Sequence, residues 1–560
     1  MLPQLDQTVP QRDVWHFTQQ ISNAVAHGQA NPNLSLCLVS CFSCGPDSSM
    51  YHFFRNQLAG RTFCYLEIDS HTAHAGFETR LGAFLDIIEE RHRRQTKEAG
   101  ARPEQGETRE GEDSVGDRQA RLSEDRAFIV DSRGNRVEYD DARVVHVWTT
   151  PHSPYALQMI EKVYQQRDRG FRYAGRISPE TMQYARRLCS GRECVPMTAS
   201  VGATLEDIHT RRRDDEITIY CTLDQEGPCQ NAAWPLVYET FGERLGLRNV
   251  ICGVWPNADN HYLGMGSEYN LLVNACLFLG DLFEEARNTL ACLAEDKEGA
   301  LRTFQAAFEL FADRFWEGGE KAIDSALEEW AHGTSEIPLV ATTEETPKVL
   351  IIGGLNLLFV HDPVTEYFVD QGILPKLVPY SESLCWLAAE TVVRYGFRQG
   401  LISPKEQFSH NPSKKNQEEA LRVRQSRFSV TLVTSVEKRF RELMEASGLM
   451  FDEPIPFLDV AEEGHRYASH IGFTETTVTT GRFVCTVKSG LYDGLVNLGS
   501  FNCQPAMNAQ AIIRPLANTS DLPYVALDCE GRWLSANQRR LLETVAVQAR
   551  RGRKRKNEEG

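Results

Sequence analysis

Short apolar runs alternate with amphipathic stretches along most of the chain. The apolar runs are rich in β-branched residues and have the length of strands, whereas the amphipathic stretches repeat apolar residues at helical spacing. The predicted strands lie at 34–40, 63–68, 144–148, 217–221, 250–254, 349–352, 495–498 and 524–527. The clearest predicted helices lie at 153–166, 233–245, 364–371 and 536–549. Because continuous apolar strands joined by crossover helices are typical of parallel sheets, we expect an α/β protein with two or three Rossmann-like parallel-sheet units and a helical subdomain.

Breaks in this pattern divide the chain, which at 560 residues is too long for one hydrophobic core. We predict a partial α/β unit, a second α/β unit with a helical subdomain at 270–331, and a C-terminal α/β unit; they span 1–92, 127–331 and 348–549. Between and after them, composition predicts a disordered charged insertion at 93–126, a linker at 332–347 and a basic disordered tail at 550–560.

The overall charge restricts the classes of function. A net charge of −17 argues against a general nucleic-acid role, which needs a basic surface. The basic tail is the exception, and it is either a nucleic-acid or membrane contact or a solubilising end. No apolar run reaches the roughly 18–20 residues of a membrane span, and the first residues lack the pattern of a secretory signal. We therefore expect a cytoplasmic protein, and its oligomeric state stays open.

Fifteen cysteines are many for a cytoplasmic chain, where disulfides are rare, so metal binding or thiol chemistry becomes the leading question. Several of them lie inside the predicted strands or helices, where a cysteine usually acts as a small buried hydrophobe. These are Cys37, Cys64, Cys221, Cys252, Cys276, Cys292 and Cys485.

Four other cysteines, Cys44, Cys194, Cys229 and Cys503, lie in turns marked by Gly or Pro, directly before a predicted helix. The N-terminus of a helix favours thiolate over thiol, and its backbone N–H groups can bond the sulfurs of an anionic cluster. Four thiolates complete one 4Fe–4S iron–sulfur cluster. The residues alone leave three interpretations open: a shared cluster, a single thiolate nucleophile with His71 as its base, and ordinary turn cysteines.

An acidic segment that ends a predicted strand supplies candidate catalytic residues. Glu67, Asp69 and His71 could deliver a proton or hydrogen-bond to groups beside the cluster. The alternative is a solvated turn that caps the following helix, and a zinc site at His71 and His74 would need further ligands.

Five motifs, in this order, resemble the C-terminal half of the large acyl-CoA dehydratase activase-related proteins of the 2-hydroxyacyl-CoA dehydratase system. The motifs are SCGPDS at 43–48, EIDSHTAHAG at 67–76, SGRECVP at 190–196, GPC at 227–229 and SFNCQP at 500–505. The resemblance spans roughly residues 30 to 550. The chain departs from the family pattern at Gln230-Asn231, where the family has Arg-Phe, and at 353–356, where Gly-Gly-Leu-Asn replaces a Gly-Glu-Ile-Tyr element.

The resemblance implies an iron–sulfur protein that accepts low-potential electrons, with Cys44, Cys194, Cys229 and Cys503 as the metal ligands. The chain has no GxxxxGK[ST] loop, so the resemblance implies a separate ATP-hydrolysing activase as the partner. It also implies an acyl-CoA or another small molecule as the substrate of a dehydratase-like reductase or lyase component. Whether the chain is itself an enzyme stays open, and the alternative is a non-redox scaffold subunit with the same fold.

Overall fold

The computed structural model describes residues 16–31, 33–40, 45–58, 61–68, 74–99, 119–174, 176–222, 229–254, 262–315, 320–386, 417–452, 454–469, 474–501, 503–530 and 533–559. Its strands are β1 Leu36–Ser40, β2 Phe63–Glu67, β3 Arg121–Leu122, β4 Ile129–Val130, β5 Arg136–Val137, β6 Val144–Trp148, β7 Gly170–Tyr173, β8 Ile217–Thr222, β9 Val250–Val254, β10 Lys348–Ile352, β11 Leu374–Leu377, β12 Gly494–Ser500 and β13 Tyr524–Cys529.

The helices lie between these strands, as the amphipathic stretches predict. They are α1 His16–Ala30, α2 Gly45–Ser49, α3 Tyr51–Gln57, α4 His74–Ala99, α5 Pro154–Gln165, α6 Pro179–Ala185, α7 Val195–Thr210, α8 Trp234–Arg244, α9 Gly266–Leu293, α10 Lys297–Arg314, α11 Glu320–Ser335, α12 Leu357–Val360, α13 Asp362–Asp370, α14 Gln417–Met444, α15 Phe457–His465, α16 Thr476–Ser489, α17 Gln504–Ala517 and α18 Ala536–Glu559. In the described residues no helix is long and apolar enough to cross a membrane.

Two four-stranded parallel sheets dominate the structure, which confirms the predicted α/β class with Rossmann-like units. The middle sheet has the order β7-β6-β8-β9, and the C-terminal sheet has the order β11-β10-β12-β13. Each sheet therefore places its first strand in sequence beside both its second and its third. In open sheets of this kind, ligands bind outside the carboxyl ends of the strands where the order reverses.

The remaining strands form two smaller sheets. Strands β1 and β2 make a two-stranded parallel sheet in the N-terminal unit. Strands β3, β4 and β5 make a short antiparallel sheet that the apolar pattern did not predict, because two-residue strands carry too few positions to show a period. Strands β7 and β11 were also missed. Both are short edge strands with polar or proline residues, Arg172 in one and Pro375 in the other.

Two hydrophobic cores hold the larger units together. One core joins the middle sheet to α5 and to the helical layer α9, α10 and α11, with aromatic residues such as Phe283 and Trp330 at its centre. The other core joins α7 and α8 of the middle unit to β10, β12 and β13 of the C-terminal sheet. Because this second core mixes side chains of both units, the starts of α7 and α8 lie against the C-terminal sheet.

The two segments predicted as disordered need correction. Residues 93–99 are the end of α4, where exposed i,i+4 pairs such as Glu89–Arg93 suit a solvated helix, and 121–122 form β3; residues 100–118 lie outside the described residues. The tail is helical to Glu559, because Arg553 and Lys556 both reach the buried carboxylate of Asp493, at 2.7 and 3.0 Å. Charge composition could not show these partners, so the prediction of a disordered tail is wrong for residues 550–559.

Candidate metal centre

The turn before α7 is built around a buried carboxylate next to Cys194. Glu193 accepts backbone N–H groups from Ser190, Gly191 and Arg192 at 2.9–3.1 Å, and His52 Nε2 lies 2.8 Å from its Oε1. Burial opposes the charge, but the hydrogen bonds from His52 and the backbone hold the pKa of Glu193 below its usual value. Glu193 thus folds the turn that precedes it, rather than capping the following helix, and it leaves Cys194 as the residue directly before α7.

Two direct contacts join this turn to the turns of Cys229 and Cys503. The backbone N–H of Cys194 donates to Gln230 Oε1 at 2.8 Å, and Gln230 Nε2 donates to the carbonyl of Arg192 at 3.1 Å. The backbone N–H of Val195 donates to the carbonyl of Phe501 at 3.4 Å. Three of the four turn cysteines predicted as ligands are therefore brought together from positions 194, 229 and 503. Cys44 and its neighbour Cys41 lie outside the described residues.

The site uses equivalent positions of the two four-stranded sheets. Cys229 follows β8 and Cys503 follows β12, which are the third strands of their sheets, and each cysteine directly precedes a helical segment. Cys194 directly precedes α7, the last helix before β8. Glu475 directly precedes α16, the last helix before β12. The pair at the middle sheet is therefore Cys194 and Cys229, and the equivalent pair at the C-terminal sheet is Glu475 and Cys503.

Burial makes all three of these thiols weak acids. It raises the pKa of Cys503 to about 12, and it also raises the pKa values of Cys194 and Cys229 well above that of a free thiol. The negative charge that Cys503 would carry also raises the pKa of both other thiols, which places the three groups close enough to interact. N–H groups at the helix starts oppose these shifts only in part. The expectation that helix N-termini would favour thiolates is therefore wrong for the thiols alone, because desolvation outweighs the helix effect.

Glu475 adds a carboxyl to the same region. Its Oε1 accepts the backbone N–H of Leu355 at 2.9 Å, and burial raises its pKa to about 7. A Cβ atom on Gly354 would stand 2.4 Å from Glu475 Oε2, so the glycine, at φ +72°, lets the loop after β10 approach the carboxyl. Glu475 in turn raises the pKa of Cys229 and Cys503.

The N-terminal unit contacts the site through an ion pair. Glu67, at the end of β2, accepts two hydrogen bonds of 2.9 Å from the guanidinium of Arg192, which lies over the rings of Tyr51 and Tyr65. Glu67 thus hydrogen-bonds to the Cys194 turn, which agrees with the second of its two predicted roles, and its role as a proton donor stays a prediction. Asp69 and His71, the other two candidate catalytic residues, lie outside the described residues.

Fit to a metal can be judged from the donors themselves. In the part of the chain that the structure describes, no group of three or more His, Cys, Asp or Glu side chains is arranged to hold a metal ion. The thiolates of a 4Fe–4S cluster bind different irons and stand further apart than donors around one ion, and the fourth predicted ligand is outside the described residues. Three interacting thiols beside helix N-termini fit such a cluster in their chemistry. Gln504, next to Cys503, has a buried Oε1 without a hydrogen-bond partner among the described residues.

Sequence reasoning missed Gln230 and Glu475. Gln230 stood out only as a departure from the family pattern, and Glu475 lies in an irregular stretch far from any cysteine. The Gly353-Gly354 pair was a usable signal, since adjacent glycines after a strand indicate a close backbone approach.

The cysteines predicted as buried hydrophobes are mostly buried, with one clear exception. Cys64, Cys221, Cys276, Cys292 and Cys485 are buried, and Cys252 is half-buried. Cys37 is exposed, because its side chain projects from the open face of the two-stranded sheet. A strand of such a small sheet is covered on one side only, which its apolar run did not show.

A comparison of the chain with protein-family models finds no match, and a comparison with curated proteins finds none. The fold and the site geometry therefore carry the functional argument.

Proposed function

We propose that this chain is an iron–sulfur protein of the 4Fe–4S type, with Cys44, Cys194, Cys229 and Cys503 as its ligands. It would resemble the electron-accepting component of the 2-hydroxyacyl-CoA dehydratase system. The observation that carries the proposal is the meeting of the Cys194, Cys229 and Cys503 turns, which are joined by the Cys194–Gln230 bond and the Val195–Phe501 bond.

The chemistry of the pocket suits a cluster better than a free thiol. Buried thiols with raised pKa values are poor nucleophiles at neutral pH, which argues against the thiol-enzyme interpretation. Iron binding displaces the thiol proton, so a raised pKa does not prevent ligation. When bound, the cluster would supply one-electron transfer at low potential. The chain's own contribution would be to hold the thiols in register and to limit the access of water.

The proposal includes partners and a location. A separate ATP-hydrolysing activase would supply the electrons in the cytoplasm, and an acyl-CoA or another small molecule would be the substrate. Ligands of open α/β sheets bind at the carboxyl ends of the strands, so such a ligand would approach the thiols from that side of the two four-stranded sheets. The substrate itself is not defined by these residues.

Anaerobic iron and sulfide analysis tests the proposal. Wild-type protein, purified or reconstituted without oxygen, should be brown with broad absorbance near 400 nm and contain iron and sulfide in equal amounts, an expectation of iron–sulfur chemistry generally. The variants Cys229→Ser and Cys503→Ser should lose most of the iron. Cys276→Ala, which removes a buried thiol from α9 outside the site, is the matched control and should keep it.

Each other outcome points to a different function. Colourless wild-type protein that binds no iron after reconstitution would contradict the cluster and favour a scaffold subunit. Activity abolished by alkylation of a single cysteine in metal-free protein would favour the thiol enzyme. Unchanged iron in Cys229→Ser would remove Cys229 from the ligand set.

A further inference from the structure

We propose that Gln230 is the positioning residue of this site: its side-chain amide bridges the two turns and holds the Cys194 and Cys229 thiols in register for one ligand. The inference rests on the proposed function for the identity of the ligand, but the bridge itself concerns the protein's own residues.

The bridge has a defined geometry. Gln230 Oε1 accepts the backbone N–H of Cys194 at 2.8 Å, and Gln230 Nε2 donates to the backbone carbonyl of Arg192 at 3.1 Å. A single side chain therefore bonds to backbone atoms on both sides of Glu193. Gln230 is also adjacent to Cys229, so the backbone that carries one thiol is tied to the backbone that carries the other.

Burial makes the bridge energetically important. Gln230 is 4% exposed, and Cys194 is 7% exposed. Removing the amide would leave a backbone N–H and a carbonyl without these partners in a region of low water access. A buried polar group that loses its hydrogen bond also loses its solvation, and this penalty favours displacement of the turn. The structure thus couples the position of Cys194 to the presence of a glutamine at 230.

The bond also affects how the sulfurs are solvated. Hydrogen bonds from N–H groups to cluster sulfurs favour the more negative, reduced state and so tune the reduction potential. Because Gln230 Oε1 accepts the Cys194 N–H at 2.8 Å, the amide oxygen engages this donor. Loss of the glutamine would free this donor, and we expect a higher reduction potential as a result.

A second glutamine shows that this role is specific to one turn. Gln504 follows Cys503 as Gln230 follows Cys229, at the start of the helix after the third strand of its sheet. Yet Gln504 Oε1 makes no hydrogen bond to any described residue. The equivalent position therefore does not by itself impose the bridge, and the Cys194 turn opposite Gln230 provides the second half.

The test compares Gln230→Leu, which removes both bonds, with Gln230→Glu, which keeps an acceptor for the Cys194 N–H. Gln538→Leu is the matched control, because Gln538 also bridges two backbone groups, accepting from Ser535 N–H and donating to the Asp528 carbonyl, both at 2.7 Å. Its amide contacts the sulfur of Cys529 rather than the turns of Cys194 and Cys229. Three readouts apply to each full-length protein. The first is iron retention against a chelator, and the second is the reduction potential with the electron paramagnetic resonance spectrum. The third is the cross-linking of Cys194 to Cys229 by dibromobimane in the iron-free protein, with the bridge located by mass spectrometry.

We expect Gln230→Leu to lose iron at about 10–100-fold lower chelator concentration than wild type, with a raised potential and severalfold less bimane bridging. Gln230→Glu should give values between those of wild type and Gln230→Leu. Gln538→Leu should match wild type in all three readouts, even if its unfolding midpoint drops.

Results of the opposite kind would overturn the inference. The inference fails if Gln230→Leu and Gln538→Leu show equal iron retention and equal bridging. It also fails if wild type forms no bimane bridge between Cys194 and Cys229. A third outcome separates the two proposals. If wild type binds no iron but forms the bimane bridge, and Gln230→Leu does not form it, the positioning role is supported and the cluster proposal fails.

Discussion

Two of the buried polar centres among the described residues each contain a carboxyl group, and they affect its ionisation in opposite ways. At the first, Glu285 of α9 bonds to Lys376 of β11 and to both terminal nitrogens of Arg441 on α14, at 2.8 and 3.0 Å for the arginine. Backbone N–H groups of Phe451 and Asp452 also donate to it, at 2.8 and 3.0 Å. Although burial opposes the charge, these cations and donors hold the pKa of Glu285 well below its usual value.

At the second centre, the thiol site, burial dominates. Glu475 accepts one backbone N–H, and burial raises its pKa to about 7. Burial and the charge that Cys503 would carry raise the pKa values of Cys194 and Cys229. The comparison shows that burial alone does not decide the ionisation of a carboxyl; the partners do. The Glu285 centre is saturated by the chain's own cations, as expected of a structural centre. The groups at the thiol site would gain a counter-charge by binding iron, as expected of a ligand site.

The largest expected effect is on stability at the Glu285 centre. Glu285→Gln should lower the free energy of unfolding by about 3–5 kcal/mol, because two buried cations lose their common anion. Denaturant unfolding of the variant measures this loss. Glu329→Gln, in an exposed pair with Arg314, is the control and should cost less than about 1 kcal/mol. A similar loss in both variants would contradict a structural role specific to Glu285.

The second largest expected effect is on the pH dependence of stability, which has opposite signs at the two centres. Because the pKa of Glu475 is raised from its usual 4.5 to about 7, its protonated form stabilises the fold fully below pH 4.5, and this contribution is lost as the pH rises towards 7. The loss amounts to roughly 3 kcal/mol for one buried carboxyl. Burial also raises the pKa of Glu284 to about 8 and of Asp281 to about 7, so wild type titrates these groups as well.

Unfolding of iron-free Glu475→Gln between pH 4 and 8 isolates the contribution of Glu475. The variant should lose less stability over this window than wild type, by roughly 3 kcal/mol. Parallel profiles would show that Glu475 keeps its charge when folded. Glu285 has the opposite sign: its lowered pKa makes its contribution present above pH 4.5 and lost as the pH falls through the folded value.

A smaller effect is expected from the loop that approaches Glu475. Gly354→Ala forces alanine into the left-handed region and places its Cβ against the carboxyl, whereas Gly372→Ala, at φ +65°, meets nothing within 4 Å. In both variants the free energy of unfolding should fall by about 1–2 kcal/mol because of backbone strain. Only Gly354→Ala should also lower the iron content. Equal iron in the two variants would separate the Gly354 loop from the site.

The smallest expected effect is at the ion pair between the N-terminal unit and the Cys194 turn. Glu67→Gln should cost about 1 kcal/mol or less, because Arg192 is partly exposed and screened by solvent. A double-mutant cycle with Arg192→Gln, read by thermal unfolding, measures the coupling between the two side chains. A coupling above about 2 kcal/mol would mean that this pair belongs with the Glu285 centre rather than with the surface.

The architecture of the two large units could be predicted from the pattern of apolar residues along the chain. Strands β6 and β9 lie where the apolar runs predict them, because strands of a parallel sheet covered by helices are mostly apolar. The four turn cysteines were also visible, since Gly and Pro mark the turns and the family motifs surround the thiols. Local pattern carries this information because strands, helices and turns depend on neighbouring residues.

Which side chains contact each other could be read only from the folded structure. Arg553 and Asp493 lie 60 positions apart, and their contact turns a tail predicted as disordered into a helix. The Gln230 bridge, the approach of Gly354 to Glu475 and the direction of each pKa shift depend on contacts between distant segments. No local pattern encodes such contacts, because desolvation and hydrogen bonding are set by whatever the fold brings within a few ångströms.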